Sequence, residues 1–233
     1  MSRLLIHVEG QTEEGFVNEV LRDHLVSKGY HAVGARIVGN ARLRQRRGGI
    51  RARPSVKLDI VRHLKQDPGY VATTMVDYYG LPQGEGRAWP GRARATMLPV
   101  EEKARCVEDA LLADLAAEMG GPFDTRRFIP FVVMHEFEGL LFSDCAAFSR
   151  GIGRPDLETG FQEIRNQFLT PEEINDSPVT APSKRVEALV PGYEKPLQGV
   201  LAILEIGLLR LRAECPHFNG WLARLEAHAI QFG

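Results

Sequence analysis

Acidic residues follow three apolar segments of the sequence, at the points where each segment ends. Glu9 comes directly after "RLLIHV", Asp77 directly after "YVATTMV", and Glu136 and Glu138 lie in "HEFE" just after "FIPFVVM". Uninterrupted apolar and β-branched runs of this kind are typical of buried strands. If the strands are parallel, these carboxylates meet at the sheet edge where open α/β proteins bind ligands. Converging carboxylates repel one another unless a cation neutralises them, so the pattern predicts bound Mg²⁺ or Mn²⁺.

Ions of this kind can activate a water molecule and stabilise the leaving oxygen of a phosphodiester. Gly10, directly after Glu9, has no side chain that would keep a phosphate or a metal away from the backbone. Glu13 belongs to the first turn of the next helix, where an acid is favourable by itself, although it could also face the site. His135 fits either a ligand or a structural residue, and "HEFE" lacks the HExxH spacing of zinc proteases.

The elements that must position these acids alternate between strands and helices up to about residue 145. This alternation predicts an α/β fold, a mostly parallel sheet with helices on both faces. The remaining residues, 146–233, show helical spacing without a strong strand, so we expect a helical C-terminal lobe packed on a first domain of residues 1–145. The predicted strands are Arg3–Val8, His31–Val38, Tyr70–Val76 and Phe128–Met134, and the predicted helices of the first domain begin at a Thr12 cap, at Pro54 and at Val100.

A strongly basic segment lies between the second strand and the second helix. Residues 24–58 contain no acid, and the stretch "NARLRQRRGGIRARPS" holds six arginines, which are Arg42, Arg44, Arg46, Arg47, Arg51 and Arg53. Guanidinium groups bind phosphate oxygens in pairs and without regard to base sequence, so we expect this loop to bind nucleic acid. In the long Gly/Pro-rich segment that follows Asp77, Arg87, Arg92 and Arg94 could extend the same track. Trp89 could either stack on a base or hold the segment to the core.

Lys184 and Arg185 begin a predicted helix in "TAPSKR". A cation at this place could reach a scissile phosphate and stabilise the charge that develops there, which would make Lys184 catalytic and Arg185 a nucleic-acid contact. A solvated surface pair is the alternative. The leucine-rich segment from Tyr193 to Leu225 predicts core or interface packing, and a homodimer is one possible assembly.

The composition excludes several classes of protein. Hydrophobic residues make up 44% and charged residues 25% of 233 residues, which is typical of a soluble globular chain. The formal net charge of −1 gives no global attraction to nucleic acids or membranes. Three separated cysteines argue against a disulfide framework and a zinc site, and no apolar run reaches the length of a membrane span or a signal peptide, so we expect a cytoplasmic protein.

Four stretches, "VEGQTEEGFVNEVL", "VDYYGLP", "HEFEGLLFSD" and "SPVTAPSKR", resemble the domain-of-unknown-function family 4276 over nearly the whole chain. The first half of that family is similar to Toprim domains, including the nuclease domain of overcoming-lysogenization-defect proteins. Toprim domains carry a glutamate after strand one and an Asp-x-Asp after strand three, and these acids bind Mg²⁺. Glu9 and Asp77 match these motifs, but Tyr79 stands where the second aspartate is expected. Strand alternation predicts that Tyr79 points where that acid would point, so Glu136 or Glu138 would have to supply the missing oxygen.

The residues and the resemblance together imply a Mg²⁺-dependent Toprim-like nuclease, a phosphodiesterase that acts on DNA or RNA. Glu9, Asp77, Glu136 and Glu138 would hold metal, and Glu9 would also serve as a general acid or base. Related Toprim nucleases work with ATPases, often in phage defence. The sequence has no Walker motif, so an ATPase would be a separate subunit. A non-catalytic partner subunit with a degenerate metal site remains the alternative, as does an enzyme that acts on small phosphorylated molecules.

Overall fold

A parallel sheet forms the centre of the first half of the chain. The computed structural model describes residues 2–38, 53–84, 87–174, 177 and 179–232, with the backbone alone at residues 53 and 54. The strands are β1 (Arg3–Val8), β2 (Ala32–Ile37), β3 (Tyr70–Asp77), β4 (Phe128–Ile129) and β5 (Val132–Val133), in the order β2-β1-β3-β4 with β5 also paired to β3. Every recorded pairing is parallel, which confirms the predicted fold class. Val8 of β1 pairs with Met75 of β3, so both strands end at the same edge of the sheet.

The fourth predicted strand is interrupted. The prediction of one strand over Phe128–Met134 is wrong, because β4 and β5 are separated by Pro130 and Phe131. Pro130 has no N–H to donate to the sheet. The Thr74 hydroxyl fills the gap from β3: its Oγ1 accepts from the Phe131 N–H at 3.0 Å and donates to the Phe131 carbonyl at 2.9 Å. The two short strands therefore stay attached to β3.

The helical segment after β1 begins earlier than predicted. It comprises α1 (Gln11–Phe16), a π-helical turn (Val17–Leu21) and α2 (Arg22–Ser27). The N-cap is Gly10, so the prediction of a Thr12 cap is wrong. Gly10 has no side chain to cap the helix, and instead its N–H donates to the Glu13 carboxylate at 2.8 Å. Glu13 is thereby turned back toward the end of β1.

The other helices lie mostly in the second half of the chain. Beyond β5 the described residues form no strand, as predicted for the C-terminal lobe. No helix among these described residues has both the length and the apolar character needed to cross a bilayer. The helices are α3 (Arg53–Gln66), α4 (Arg92–Ala95), α5 (Val100–Met119), α6 (Glu138–Leu141), α7 (Cys145–Gly151), α8 (Glu158–Arg165), α9 (Pro182–Leu189), α10 (Lys195–Glu214) and α11 (Pro216–Phe232).

Apolar side chains cover the sheet on both faces. Alternate residues of β3 point to opposite sides, so Met75 belongs to the cluster that includes α10 and α11, and Val76 to the cluster beneath α3 and α5. Trp221 of α11 is fully buried, stacks on Phe131 and donates its indole N–H to Thr73 Oγ1 at 2.9 Å. The division into domains at residue 145 stays a prediction, and the first of these clusters runs across that boundary.

Candidate functional site

Glu9 and Asp77 lie side by side at the carboxyl edge of the sheet. The backbone N–H of Asp77 donates to Glu9 Oε2 at 3.2 Å. A turn follows β3, and its Gly80 N–H donates to the Asp77 carbonyl at 3.0 Å. A Cβ at Gly80 would lie 2.9 Å from Glu9 Oε2 and 3.0 Å from Oε1, closer than van der Waals contact allows. Gly80 therefore leaves the space that the Glu9 carboxylate occupies.

His135 turns the chain after β5 so that it meets Asp77. Its φ of 63° lies in the left-handed region, which a residue with a side chain rarely adopts. The His135 carbonyl accepts from the Tyr79 N–H at 3.2 Å, and the next-but-one residue, Phe137, donates its N–H to Asp77 Oδ1 at 3.0 Å. The imidazole is fully buried, with its centroid 5.3 Å from that of the Tyr79 ring. Backbone strain at His135 thus accompanies the contact that fixes Asp77.

Glu136 and Glu138 connect this edge to the C-terminal half. Glu136 Oε2 accepts from the Ser183 N–H at 2.8 Å, at the start of α9, where the helix dipole favours a negative charge. Lys195, the first residue of α10, donates from Nζ to Glu138 Oε2 at 3.1 Å. Glu138 is almost fully buried, whereas the Lys195 side chain is 40% exposed. Both contacts come from helices that follow residue 180.

Two layers of carboxylates result. Glu9, Asp77 and Glu136 remain partly exposed, whereas Glu13 and Glu138 are buried behind them. Burial and the charges of Glu9 and Glu138 raise the pKa of Glu13 to about 7, although backbone N–H groups, including that of Gly10, act in the opposite direction. The Glu13 carboxyl therefore exchanges its proton near neutral pH.

The pKa of Asp77 is raised by burial and by all four neighbouring acids. Loss of water around its carboxyl raises its pKa well above the usual value, and the neighbouring carboxylates, of which Glu9 is the most effective, raise it further. Burial and Glu136 raise the pKa of Glu138, while Lys195 lowers it. The pKa of Lys195 is raised because the attraction of Glu138 and the other acids outweighs its burial. Burial and the excess of carboxylates over the one lysine that contacts them among the described residues therefore favour protonated acids at this site.

This charge excess suits a divalent cation. Each of the recorded bonds to Asp77 and Glu136 uses one oxygen of the carboxylate, and carboxylate oxygens are the ligands that Mg²⁺ and Mn²⁺ prefer. Within the described residues, however, no three acids, histidines or cysteines already stand as a ligand set. The residue types and charges fit a metal, and binding would require their side chains to turn toward it.

Tyr79 does not occupy the place that strand alternation predicts. β3 ends at Asp77, and residues 78–80 form a turn, so the alternation of a strand no longer applies. The Tyr79 side chain packs against the apolar cluster beneath α3 and α5 and beside His135. The prediction that Tyr79 points where a second Toprim aspartate would point is therefore wrong.

Lys195 and Glu13 are the residues that the sequence interpretation undervalued. Lys195 starts a helix that reads as apolar packing, and only the adjoining Pro196, at a typical helix start, marked the position. Lys184, predicted to be catalytic, is exposed and donates to Glu187 Oε2 at 2.7 Å. Arg185 donates to the Thr180 carbonyl at 3.1 Å. Neither has a recorded contact with the carboxylates, and their functional roles stay predictions.

The six arginines predicted to bind phosphate lie between residues 42 and 53. Arg42, Arg44, Arg46, Arg47 and Arg51, together with the side chain of Arg53, lie outside the described residues, so their role stays a prediction.

In the segment after β3, two of the residues considered for nucleic-acid binding are buried. Arg92 is buried, with its guanidinium 3.8 Å from the centroid of the Tyr78 ring and its Nε donating to the Tyr78 carbonyl at 3.2 Å. Trp89 is also buried. Both residues hold the segment to the core, so the prediction that Arg92 extends a phosphate track is wrong. Arg87 and Arg94 are exposed, and for them the prediction stands untested.

Comparison with known proteins gives one match. A family model described as a domain of unknown function, DUF4276, matches residues 8–226, which include all five carboxylates and Lys195. No curated protein and no solved structure matches the chain.

Proposed function

The chain belongs to the DUF4276 family, a domain of unknown function. We propose that it is a metal-dependent phosphodiesterase that cleaves DNA or RNA. One observation carries the proposal. Carboxylates of β1, β3 and the turn after β5 stand together at the carboxyl edge of a parallel sheet, with raised pKa values at Asp77, Glu13 and Glu138. A merely structural cluster would gain stability from more cations or fewer acids, so this arrangement is a candidate for function.

Glu9 and Asp77, with Glu136 or Glu138, would hold Mg²⁺ or Mn²⁺. Such an ion, when bound, supplies an activated water and stabilises the leaving oxygen of a phosphodiester. Glu13 holds or releases a proton near neutral pH and lies behind the exposed acids, which suits a general acid or base. Its Oε2 is fixed by the Gly10 N–H, so the proton has a defined position.

The substrate and partner follow from the basic segment and from the resemblance to Toprim nucleases. The arginines between residues 42 and 53 would bind the phosphates of the substrate. A separate ATPase subunit and a role in phage defence are the corresponding biological proposals. Replacing Arg44, Arg46 and Arg47 by alanine should lower the slope of log affinity against log salt by about 0.7–0.9 for each lost phosphate contact. An unchanged slope would show that these arginines are only solvated charges.

The test is cleavage of plasmid, single-stranded DNA and RNA in Mg²⁺, in Mn²⁺ and in EDTA. We expect cleavage only with metal, and its loss in Glu9→Gln and Asp77→Asn. Asp109→Asn is the matched control, since Asp109 is exposed on α5 and should not affect activity. Normal cleavage by both site variants would assign the activity to a contaminant or to another site.

A second function is favoured by the absence of a ready ligand set among the described residues. In this alternative the chain is a non-catalytic subunit that binds nucleic acid beside an active partner. Calorimetric titration with Mn²⁺ separates the two proposals. Binding of nucleic acid without binding of Mn²⁺ supports the non-catalytic subunit, and metal binding that is lost in Asp77→Asn supports the enzyme.

A further inference from the structure

The ion pair between Lys195 and Glu138 is asymmetric. Glu138 is buried and cannot leave, because it belongs to α6 and is enclosed by the core. Lys195 is the first residue of α10, and its side chain is 40% exposed. The loop before it contains Gly192 in the left-handed region, at φ 84°. Lys195 is therefore the partner that can move, and its ammonium already lies at the carboxylate edge.

A second polar group of the same loop lies close by without a partner. The Tyr193 hydroxyl is buried, and within the described part of the chain it makes no hydrogen bond. It lies 3.3 Å from the position that a Cβ of Gly199 would take, beside the Thr12 methyl group and the Phe137 ring. Thr12 precedes Glu13, and Phe137 stands between Glu136 and Glu138. The hydroxyl thus lies near the segments of chain that carry Glu13 and Glu138.

Tyr193 also remains a donor at every relevant pH. Burial, and next the negative charge of Glu138, raise the pKa of Tyr193 far above its usual value. A buried donor without an acceptor is costly, and native structures retain few of them. The Tyr193 hydroxyl therefore suits a second state in which it has an acceptor, and Glu138 is the charged acceptor whose field it already feels.

We propose that Lys195 exchanges Glu138 for a phosphate oxygen of the substrate, and that the Tyr193 hydroxyl then donates to Glu138 in its place. The inference rests on the proposed function, because it supplies the cation that brings a phosphodiester to a negatively charged edge. An ammonium carries three donors and can satisfy a phosphate oxygen that would otherwise face carboxylates alone. Glu138 would be left as an unpaired buried charge without the new donor, so the two movements belong together.

The test measures binding of a fluorescein-labelled single-stranded DNA oligonucleotide by anisotropy, over a range of salt, with Ca²⁺ in place of Mg²⁺. Lys195→Gln should lower the slope of log affinity against log salt by about 0.7, the value for one lost contact with a single strand. Lys195→Arg should keep the slope. Lys65→Gln is the matched comparison, with the same loss of charge at an exposed lysine near the end of α3, just before β3 begins, and it should keep the slope. An unchanged slope in Lys195→Gln would overturn the proposal.

Tyr193→Phe distinguishes an exchange from a purely structural tyrosine. Without the Tyr193 hydroxyl, Lys195 should stay on Glu138, so the slope of log affinity against log salt should fall as in Lys195→Gln. The double variant Tyr193→Phe with Lys195→Gln should show no further change. Additive losses, or an unchanged slope in Tyr193→Phe, would refute the exchange. If Lys195→Gln does not fold, the double variant Glu138→Gln with Lys195→Gln, in which both partners are neutral, should fold and show the same reduced slope. A wild-type slope in that double variant would also refute the exchange.

The outcome for the wild type separates this inference from the proposed function. Wild-type protein that neither binds nor cleaves the oligonucleotide contradicts both. Metal-dependent cleavage with a salt slope that is insensitive to Lys195 contradicts the exchange alone.

Discussion

Replacing Glu13 by glutamine should reduce the loss of stability that the metal-free protein undergoes as pH rises from about 4.5 to about 7. The pKa of Glu13 is raised from 4.5 to about 7 in the folded chain. Across this window the unfolded chain has already released the proton while the folded chain still binds it, so stability falls as pH rises. Each unit of difference in pKa between the folded and the unfolded chain corresponds to about 1.4 kcal/mol. At pH 8 the ionised Glu13 therefore lowers the free energy of unfolding by about 3 kcal/mol.

The glutamine variant keeps the contact that positions the side chain. Its amide oxygen can still accept from the Gly10 N–H, as Glu13 Oε2 does at 2.8 Å. At pH 8 in EDTA the variant should therefore melt roughly 6–12 °C above the wild type, from about 2–4 °C per kcal/mol for a chain of this size. Near pH 4, where Glu13 is protonated in both states, the two melting temperatures should agree.

Thermal melting followed by circular dichroism at pH 4, 6 and 8 is sufficient to measure this effect. Glu14→Gln is the control, because it removes a neighbouring acid from the same helical turn and should leave the pH dependence of melting as in the wild type. A Glu13→Gln profile that runs parallel to the wild-type profile would refute the reasoning. It would mean that neither the burial of Glu13 nor the charges of Glu9 and Glu138 oppose its ionisation.

Three further outcomes are expected. Gly80→Ala should displace the Glu9 carboxylate and weaken Mn²⁺ binding measured by calorimetry. Gly84→Ala is the control, because no atom lies within 4 Å of the added methyl group, and it should keep the wild-type affinity. Equal Mn²⁺ affinities of the two variants would refute the close approach of Glu9 to Gly80. His135→Gly should be more stable than His135→Ala by about 1 kcal/mol in urea unfolding, the reverse of the usual order, because only alanine retains the left-handed strain at φ 63°; alanine as the more stable variant would contradict it. Mn²⁺ should raise the melting temperature more at pH 8 than at pH 5, since its ligands must be deprotonated, and an equal rise would argue against binding by the carboxylates.

Much of the sheet can be predicted from the sequence because its signals are local. The bounds of β1 were predicted as they occur, and those of β3 to within one residue, since each is an apolar run that ends at an acid. The break at Pro130 was missed because the Thr74 hydroxyl, which stabilises it, comes from another strand. Such a compensation depends on a contact between residues that are far apart in the chain.

In the candidate site, too, residues with a local sequence signal could be predicted, and residues placed by contacts far along the chain could not. Glu9 and Asp77 could be selected because strand ends in a parallel sheet meet at one edge. Lys195 could not be selected from the sequence, because its place beside Glu138 depends on how α10 packs against the rest of the fold. The apolar residues of that helix also dominate its sequence pattern. Glu13 was assigned to a helix start, where acids are favourable anyway, so its sequence context hid the contact with Gly10.

The apolar cluster that joins β1 to α10 and α11 also sets the order of events during synthesis. Leu4 and Ile6 leave the ribosome early, but the cluster that encloses them includes Leu225 and Ala229. The hydroxyl of Ser2 donates to the carbonyl of Phe232 at 2.8 Å. A nascent chain must therefore extend at least as far as Ala229 before this side of the sheet is covered, and contacts of such long range form slowly. Lys195 also comes long after Glu9, Asp77 and Glu138, so a chain that has not yet reached it carries the acids without their cation.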